Sequence, residues 1–305
     1  MTKVFIDGSA GTTGLRIYER LNDRKDIELI KLREEVRKDT EARRSALREA
    51  DIAFLCLPDN AAIEAVSLCD GSDTVIIDTS TAHRTNPDWT YGFPELIGRD
   101  NIKNSSRIAN PGCHASGFVA LVKPLRDAGL IKSDAELCCF SVTGYSGGGK
   151  SMIADYESAD RSHMLSAPRQ YALSQQHKHL KEMAELCGLT GKPLFSPIVA
   201  DFYSGMEVTV QLPASQLKGS IDDIKKIYKE KYNGKLVRYA ENDEGGFLSA
   251  AALSGKDSME ISVYGNEERI LLVSRFDNLG KGASGSAIQN LNILLGADED
   301  TGLNV

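Results

Sequence analysis

The opening stretch narrows the fold more than any other part of the chain. KVFID (3–7) is a short apolar run, GSAGTTG (8–14) places glycines at 8, 11 and 14, and LRIYERL (15–21) has helical spacing. A strand that turns through three glycines directly into a helix opens a βαβ unit, in which buried parallel strands lie beneath crossover helices. The pattern then repeats. IELIKL (27–32) is a second strand, READIAFLCLPDNAAIEAVSLC holds a third strand and a helix, and DTVIID (73–78) is a fourth. Residues 1 to 110 therefore predict a parallel sheet covered on both faces.

After Pro111 the texture changes. ELCCFSVT (136–143), GMEVTVQLP (205–213), MEISVYG (259–265) and RILLVSRFDN (269–278) alternate over longer runs and suit a mixed or antiparallel sheet. ASGSAIQNLNILLG (283–296) reads as a closing helix that stops at Gly296. A chain of 305 residues is long enough for two cores. No Pro- or Ser-rich linker separates them, so the second domain is expected to be inserted into the first, with the final helix returning.

The glycine loop has a chemical reading. Glycine allows the backbone to approach a pyrophosphate, and the helix start offers N–H groups and a positive dipole end. The spacing is GxxGxxG, and its place between first strand and first helix marks a dinucleotide site formed by Gly8, Ser9, Ala10, Gly11, Thr12, Thr13 and Gly14. An acid at the end of the second strand would bind a ribose 2′-hydroxyl. Here Arg33 and Arg37 stand there instead, beside Glu34 and Glu35, and the arginines suit the 2′-phosphate of NADP(H). The expected architecture is an α/β, Rossmann-type NADP-binding domain (1–112 plus 280–305) with an inserted α+β catalytic domain of mixed sheet (113–279).

A second glycine motif competes. TGYSGGGKS (143–151) matches the G-x-x-x-x-G-K-[ST] phosphate loop from Gly144 to Ser151. The first strand already owns a nucleotide loop, and no strand ending on a metal-binding Asp is evident downstream, so the match is taken as a coincidence of glycines. A net charge of −7 speaks against nucleic-acid or anionic-membrane partners. The six cysteines (56, 69, 113, 138, 139 and 187) form no CxxC pair, so neither a disulfide framework nor a zinc site is expected. No apolar run approaches the ~20 residues of a membrane span, and the N-terminus enters a strand without a signal segment. A cytoplasmic protein without a bound metal is the expectation.

IANPGCHASGFVALVKPL places Cys113 after a Pro-Gly turn and before a helical run. The dipole at a helix start stabilises a thiolate and makes such a cysteine a nucleophile. SQQHKHLKEMAELCGL reads as a helix capped by Ser174 and stopped at Gly188, bearing His177, His179 and Glu182. On a helix, i,i+2 spacing points the two histidines apart, which argues against a shared metal. Arg84 follows the fourth strand, at the carboxyl end where open α/β sheets bind ligands, and its planar fork suits a substrate phosphate.

These motifs together resemble the short type of N-acetyl-γ-glutamyl-phosphate reductase. The resemblance runs through GSAGTTG, DTSTAHR (78–84), YGFPEL (91–96), NPGCHASG, TGYSGGGK, HKHLKE (177–182) and DNLGKGASGSAIQNLN (277–292), and covers nearly the whole chain. Aspartate-semialdehyde dehydrogenases share the glycine loop and the DNLxKGA-like segment, but usually carry Asn after the catalytic Cys and lack HxHxxE. The resemblance implies NADPH-dependent reduction of an acyl phosphate through a thioester on Cys113, with His177 as the acid–base residue; His179 lies in the same motif. It also implies that Arg84, Ser141, Gly144, Lys150, His179 and Glu182 line the substrate site. Pro58, Ser80, Asn278, Lys281 and Gly282 are implied to stand by the cofactor. A small-molecule substrate and a homodimer or homotetramer follow from it. Aspartyl or N-acetyl-aminoadipyl phosphate as substrate, or a non-catalytic NADP-binding sensor, are the competing readings.

Overall fold

In the computed structural model, which describes residues 1–241 and 244–305, strand β1 (Thr2–Asp7) passes through Gly8 into helix α1 (Thr12–Leu21). The pattern continues as β2 (Ile27–Ile30), α2 (Thr40–Glu49), β3 (Ile52–Leu55), α3 (Asp59–Leu68) and β4 (Val75–Asp78). β5 (Thr90–Tyr91), α4 (Pro94–Ile97), α5 (Arg99–Lys103) and β6 (Arg107–Ala109) complete the run. All pairings in this sheet are parallel, in the order β2-β1-β3-β4-β6-β5. β3 is buried at every residue, as a strand covered on both faces must be. The order reverses at β1, and a ligand of such a sheet binds beyond the strand ends at that switch point.

Helix α2 went unread in the sequence, because TEARRSALRE carries few apolar residues. Asp39 starts it, accepting the Ala42 backbone N–H at 2.9 Å. The second strand ends at Ile30, short of the expected Leu32, and Glu34–Val36 form a 3₁₀ turn.

The second unit begins with α6 (Cys113–Asp127), followed by β7 (Cys138–Gly144), α7 (Gly149–Glu157) and β8 (Arg169–Gln170). Then come α8 (His179–Leu186), β9 (Leu194–Ala200), β10 (Met206–Pro213) and α9 (Ile221–Lys231). β11 (Val237–Tyr239), β12 (Met259–Gly265) and β13 (Arg269–Phe276) end it. These strands form a mixed seven-stranded sheet in the order β11-β12-β13-β10-β7-β9-β8. α6 lies close against it: a Cβ on Gly117 would meet Val208 Cγ2 at 2.5 Å and Ser274 Oγ at 2.7 Å. The chain closes with α10 (Gly285–Leu295), stopped at Gly296 in the left-handed region, φ +69°.

One unit comprises Met1–Pro111 and Ala283–Gly302, the other Gly112–Gly282 and Leu303–Val305. Gly112, Gly280–Gly282 and Leu303–Val305, assigned from the sequence to the first domain, thus fall in the second. Among the described residues no helix is long and apolar enough to cross a membrane.

The connection from β7 to α7 holds the apparent phosphate loop, and here a strand does precede it and a helix follow. Four of its backbone donors are nevertheless engaged within the protein. The N–H groups of Gly144, Tyr145 and Ser146 go to the carbonyls of Gly205, Phe202 and Tyr203 at 3.0, 2.9 and 3.0 Å, and that of Gly149 to Ser146. A phosphate loop cradles its ligand with backbone N–H groups, and these four are committed to protein carbonyls.

The turn at Gly8 is tight. Its φ is +87°, and a Cβ there would stand 2.2 Å from the Cys56 carbonyl oxygen, whereas at Gly11 the nearest atom would be 3.4 Å away. Gly8→Ala is therefore expected to lower stability by more than about 2 kcal/mol and Gly11→Ala far less, measured by denaturant unfolding of both variants.

Candidate active site

In the first unit, a cavity of about 720 Å³ opens at the carboxyl ends of β1, β2 and β3. Gly8, Ser9, Ala10, Gly11 and Pro58 line it. Thr12, Thr13 and Gly14 form the helix start behind that lining, and a Cβ on Gly14 would meet the Gly8 carbonyl oxygen at 2.4 Å. α1 has no side-chain cap and no acid in its first turn, which leaves its N–H groups and positive end available to an anion. This cradle fits a dinucleotide.

The charged side of the cavity refines the sequence reading. Arg37 and Lys38 line it with Glu34, while Arg33 is exposed and is not among the lining residues. Arg37 also meets Glu34 at 2.8 Å. At the inner end, buried Asp7 pairs with buried Arg43 at 3.0 Å, and Arg43 reaches Glu64 at 3.2 Å. Burial pushes the Asp7 carboxyl up, against the pull of Arg43. Cys56 lines the same cavity, and burial pushes its thiol up to about 12.

DTSTAHR forms a knot at the end of β4. Buried Asp78 accepts the Ser80 N–H and Oγ–H at 2.9 and 2.7 Å and meets His83 Nδ1 at 2.7 Å; His83 stacks on Trp89 at 4.0 Å. Ser80, read as a cofactor contact, is buried and outside the cavity lining, its hydroxyl taken by Asp78. Arg84 is buried too: its Nε donates to the Asn110 carbonyl and its Nη2 to that of Thr79, both at 2.9 Å. Its planar fork braces two strand ends.

In the second unit, Cys113 is the first residue of α6, with Gly112 as N-cap, no side-chain cap and no acid in the first turn. The dipole end and open N–H groups meet the half-buried sulfur's residue directly. Gly282 packs against it; a Cβ there would approach Cys113 Cβ to 3.1 Å. The turn before Cys113 is fixed by Glu182, buried in α8, whose Oε1 accepts the Gly112 N–H at 2.9 Å. Glu182 thus holds the turn before Cys113. The other cysteines differ: burial pushes the thiols of Cys69, Cys139 and Cys187 up, which keeps them inert.

The histidine segment departs from its sequence reading. α8 starts at His179 with Lys178 as N-cap, so Ser174 caps nothing and His177 lies outside the helix. Ala172 and Gln175 adopt φ +52° and +56°, and the Gln175 amide bonds both the N–H and the carbonyl of Phe195, at 2.9 and 2.7 Å. That tether holds the segment out of helical conformation. The divergence argument against a shared metal falls with it, since the two imidazoles stand 4.8 Å apart. Among the described residues no group of three His, Cys, Asp or Glu side chains could hold a metal ion.

The His179 backbone N–H donates to His177 Nδ1 at 3.1 Å. A neutral His177 therefore carries its proton on Nε2. Burial, aided by the Lys178 charge, holds its pKa down at about 4, so at neutral pH it offers an N–H donor. His114, next to Cys113, was given no role from sequence and is wholly enclosed: its ring meets Ser141 Oγ at 2.8 Å and Tyr171 Oη at 2.6 Å. Burial, then the charges of His177 and Lys178, hold it down to about 3. Ser141 is fully buried with its hydroxyl on His114, so it faces that histidine rather than a substrate. Nothing in RQYALS announces Tyr171.

The remaining expected contacts have definite places. Gly144 is packed under Tyr203, where a Cβ would meet its carbonyl oxygen at 2.5 Å, and Lys150 is exposed on α7. Asn278 is buried, accepting the Gly205 N–H at 2.9 Å and donating to Ser146 Oγ at 3.0 Å; Lys281 is buried in the second unit. The Asn278 amide secures the glycine-rich loop.

Residues 113–278 match the semialdehyde dehydrogenase dimerisation domain, and residues 31–105 the semialdehyde dehydrogenase NAD binding domain. The chain is 45% identical over 318 aligned positions to N-acetyl-gamma-glutamyl-phosphate reductase 2 of Nostoc sp., covering 99% of each chain. It is 46% identical to N-acetyl-gamma-glutamyl-phosphate reductase of Brucella canis, covering 96% of this chain and 99% of that one. Among solved structures, aspartate semialdehyde dehydrogenase II of Vibrio cholerae superposes with a TM-score of 0.72 at 16% identity, covering 97% and 98% of the two chains. The Candida albicans aspartate semialdehyde dehydrogenase with NADP gives 0.67 at 15%, with the same coverage. These two share the fold. With near-complete alignment to the curated reductases, the chain belongs to the N-acetyl-gamma-glutamyl-phosphate reductase family of semialdehyde dehydrogenases.

Proposed function

We propose that this chain reduces N-acetyl-L-glutamyl 5-phosphate to N-acetyl-L-glutamate 5-semialdehyde and phosphate, with NADPH as reductant, in arginine biosynthesis. One observation carries the reading: Cys113 opens an uncapped helix, its turn pinned by Glu182. The thiolate sulfur attacks the acyl carbon, the carbon–oxygen bond to phosphate breaks, and phosphate leaves with the electron pair. The acyl group is then a thioester on Cys113. Two such steps are easier than one direct reduction. A nicotinamide cofactor held through the Gly8–Gly11 cradle would supply the hydride that reduces the acyl group. His177, with Nε2–H as donor, takes the charge developing on the acyl oxygen, and the α6 N–H groups add to it. Expulsion of the Cys113 thiolate releases the semialdehyde. No base is needed along this path if the sulfur begins ionised.

The match of residues 113–278 to a dimerisation domain supports a homodimer or homotetramer, and a biosynthetic step of this kind suits the cytoplasm.

Phosphate-dependent reduction of NADP with N-acetylglutamate semialdehyde tests the activity, run beside aspartate and N-acetyl-aminoadipate semialdehydes. Turnover is expected with the first; turnover only with another would reassign the substrate, and none with any would leave a cofactor-binding sensor. Cys113→Ser should lower the rate by at least about 10³-fold while NADPH binding is kept, since the cavity belongs to the other unit. His177→Gln, which keeps an N–H donor, should retain more activity than His177→Ala; equal loss would show that a base is required. Arg37→Ala with Lys38→Ala should cut the preference for NADPH over NADH about tenfold or more, and Arg33→Ala should leave it unchanged, as read by kcat/KM for each cofactor.

A further inference from the structure

Between β13 and α10 the chain makes a π-helical turn, Gly280–Ser284, and single turns of this kind recur at functional sites. Its residues Gly280–Gly282 belong to the same unit as Cys113. Asp277 ties the turn down. The Gly282 N–H donates to the Asp277 carbonyl, five residues back, at 3.0 Å, and the Gly280 N–H to the same oxygen at 3.1 Å. The Asp277 side chain is fully buried. Its Oδ1 accepts the N–H groups of Leu279 and Gly280 at 2.7 and 3.1 Å, and its Oδ2 accepts the Ser204 Oγ–H at 2.7 Å and the Gly255 N–H.

Neither Gly280 nor Gly282 has a positive φ, so each supplies room rather than a left-handed conformation. A Cβ on Gly280 would meet the Lys256 carbonyl oxygen at 2.1 Å, which seats the turn on that neighbouring loop. A Cβ on Gly282 would stand 3.1 Å from each of three atoms: the Asp277 carbonyl oxygen, Phe276 Cε2 and Cys113 Cβ. Two of these walls are held. The Asp277 carbonyl already takes two N–H groups, and Phe276 is fully buried at the end of β13. Cys113 is half-buried and is the first residue of α6, where the backbone N–H lies outside the intrahelical ladder. Crowding at position 282 is therefore passed to the cysteine.

We propose that Gly282 is a positioning residue for Cys113. By lacking a side chain it lets the turn bound to Asp277 close on the cysteine, and so keeps the thiol at the start of α6, where the dipole end and open N–H groups act. The inference rests on Cys113 being the nucleophile. It gives Gly282 a task other than the cofactor contact that the family resemblance implies. The helix-start effect falls off within the first turn, and a misplacement of about 1 Å can cost about 10²-fold in rate. A small displacement of Cys113 therefore registers in both its ionisation and its turnover.

The test is iodoacetamide labelling of Cys113 against pH, followed by peptide mass spectrometry, on the intact protein and on Gly282→Ala. The variant should raise the labelling midpoint by about 0.2–0.7 pH unit, the worth of a charge at a helix start. Its affinity for NADPH, read by fluorescence titration, should be unchanged. In phosphate-dependent turnover kcat should fall about tenfold with KM kept within about twofold. Asp277→Asn loosens the turn instead of crowding it, because either orientation of the amide sets an N–H against a backbone N–H. It should move the midpoint in the same direction, and it reads the same effect where Gly282→Ala does not fold. Midpoints unchanged while melting temperatures fall would make Gly282 a packing residue only. An unchanged midpoint with weakened NADPH binding would return it to the cofactor, and either result overturns the proposal. If the unmodified Cys113 itself labels no faster than Cys138, the nucleophile assignment fails, and the proposal with it.

Discussion

The hydrogen bond from the Gly112 N–H to the Glu182 carboxylate sets the geometry at the start of α6. It joins the start of α6 to α8, and so fixes Cys113 relative to the helix that begins at His179. A carboxylate buried near a thiolate would oppose it by charge repulsion. Committing that carboxylate to a backbone donor spreads its charge and gives it a geometric task. Gly117, two residues beyond Ala115 on the same helix, lets α6 settle onto β10 and β13, so the helix carrying Cys113 is immobilised at its start and along its side.

The helix starts of the protein divide by what completes them. α2 is closed by Asp39, and α9 by a reciprocal Ser220–Asp223 capping box. α1 and α6 begin after glycines, Gly11 and Gly112, with no side-chain cap and no acid in the first turn. A cap on either would consume the donors that an anion or a thiolate requires. α7 is also uncapped after Gly148, so the two glycine loops differ in the turn before the helix: the N–H groups of Gly144, Tyr145, Ser146 and Gly149 go to protein carbonyls.

Much of this was legible in the residues. Apolar runs bounded by turn residues marked β1, β4, β12 and β13 almost to the residue, because a buried strand needs an unbroken apolar stretch. The placement of Cys113 and of the first glycine loop was readable because both depend on local chain geometry. The histidine segment was misread for the opposite reason. Helical spacing from Ser174 looked continuous, and the Gln175–Phe195 tether that prevents it joins positions distant in sequence. Arg33 and Arg37 looked equivalent, and only the path of the chain after Ile30 separates them. Ser141, His114 and Tyr171 come from three elements, and no spacing rule connects them.

The Gln175 amide completes two backbone bonds at the start of β9, standing in for a residue of a neighbouring strand. Tyr171 is anchored on one side of this rung, through Pro197, and His177 begins its turn on the other. The stretch between them is thus a ruler with both ends clamped. Gln175 is held by its two bonds to Phe195, and the length of the stretch is held with it: adding or removing one residue would shift the phenol and the imidazole out of phase. Surface connections usually record their history as insertions and deletions. A connection clamped at both ends has no slack to take up an added or lost residue.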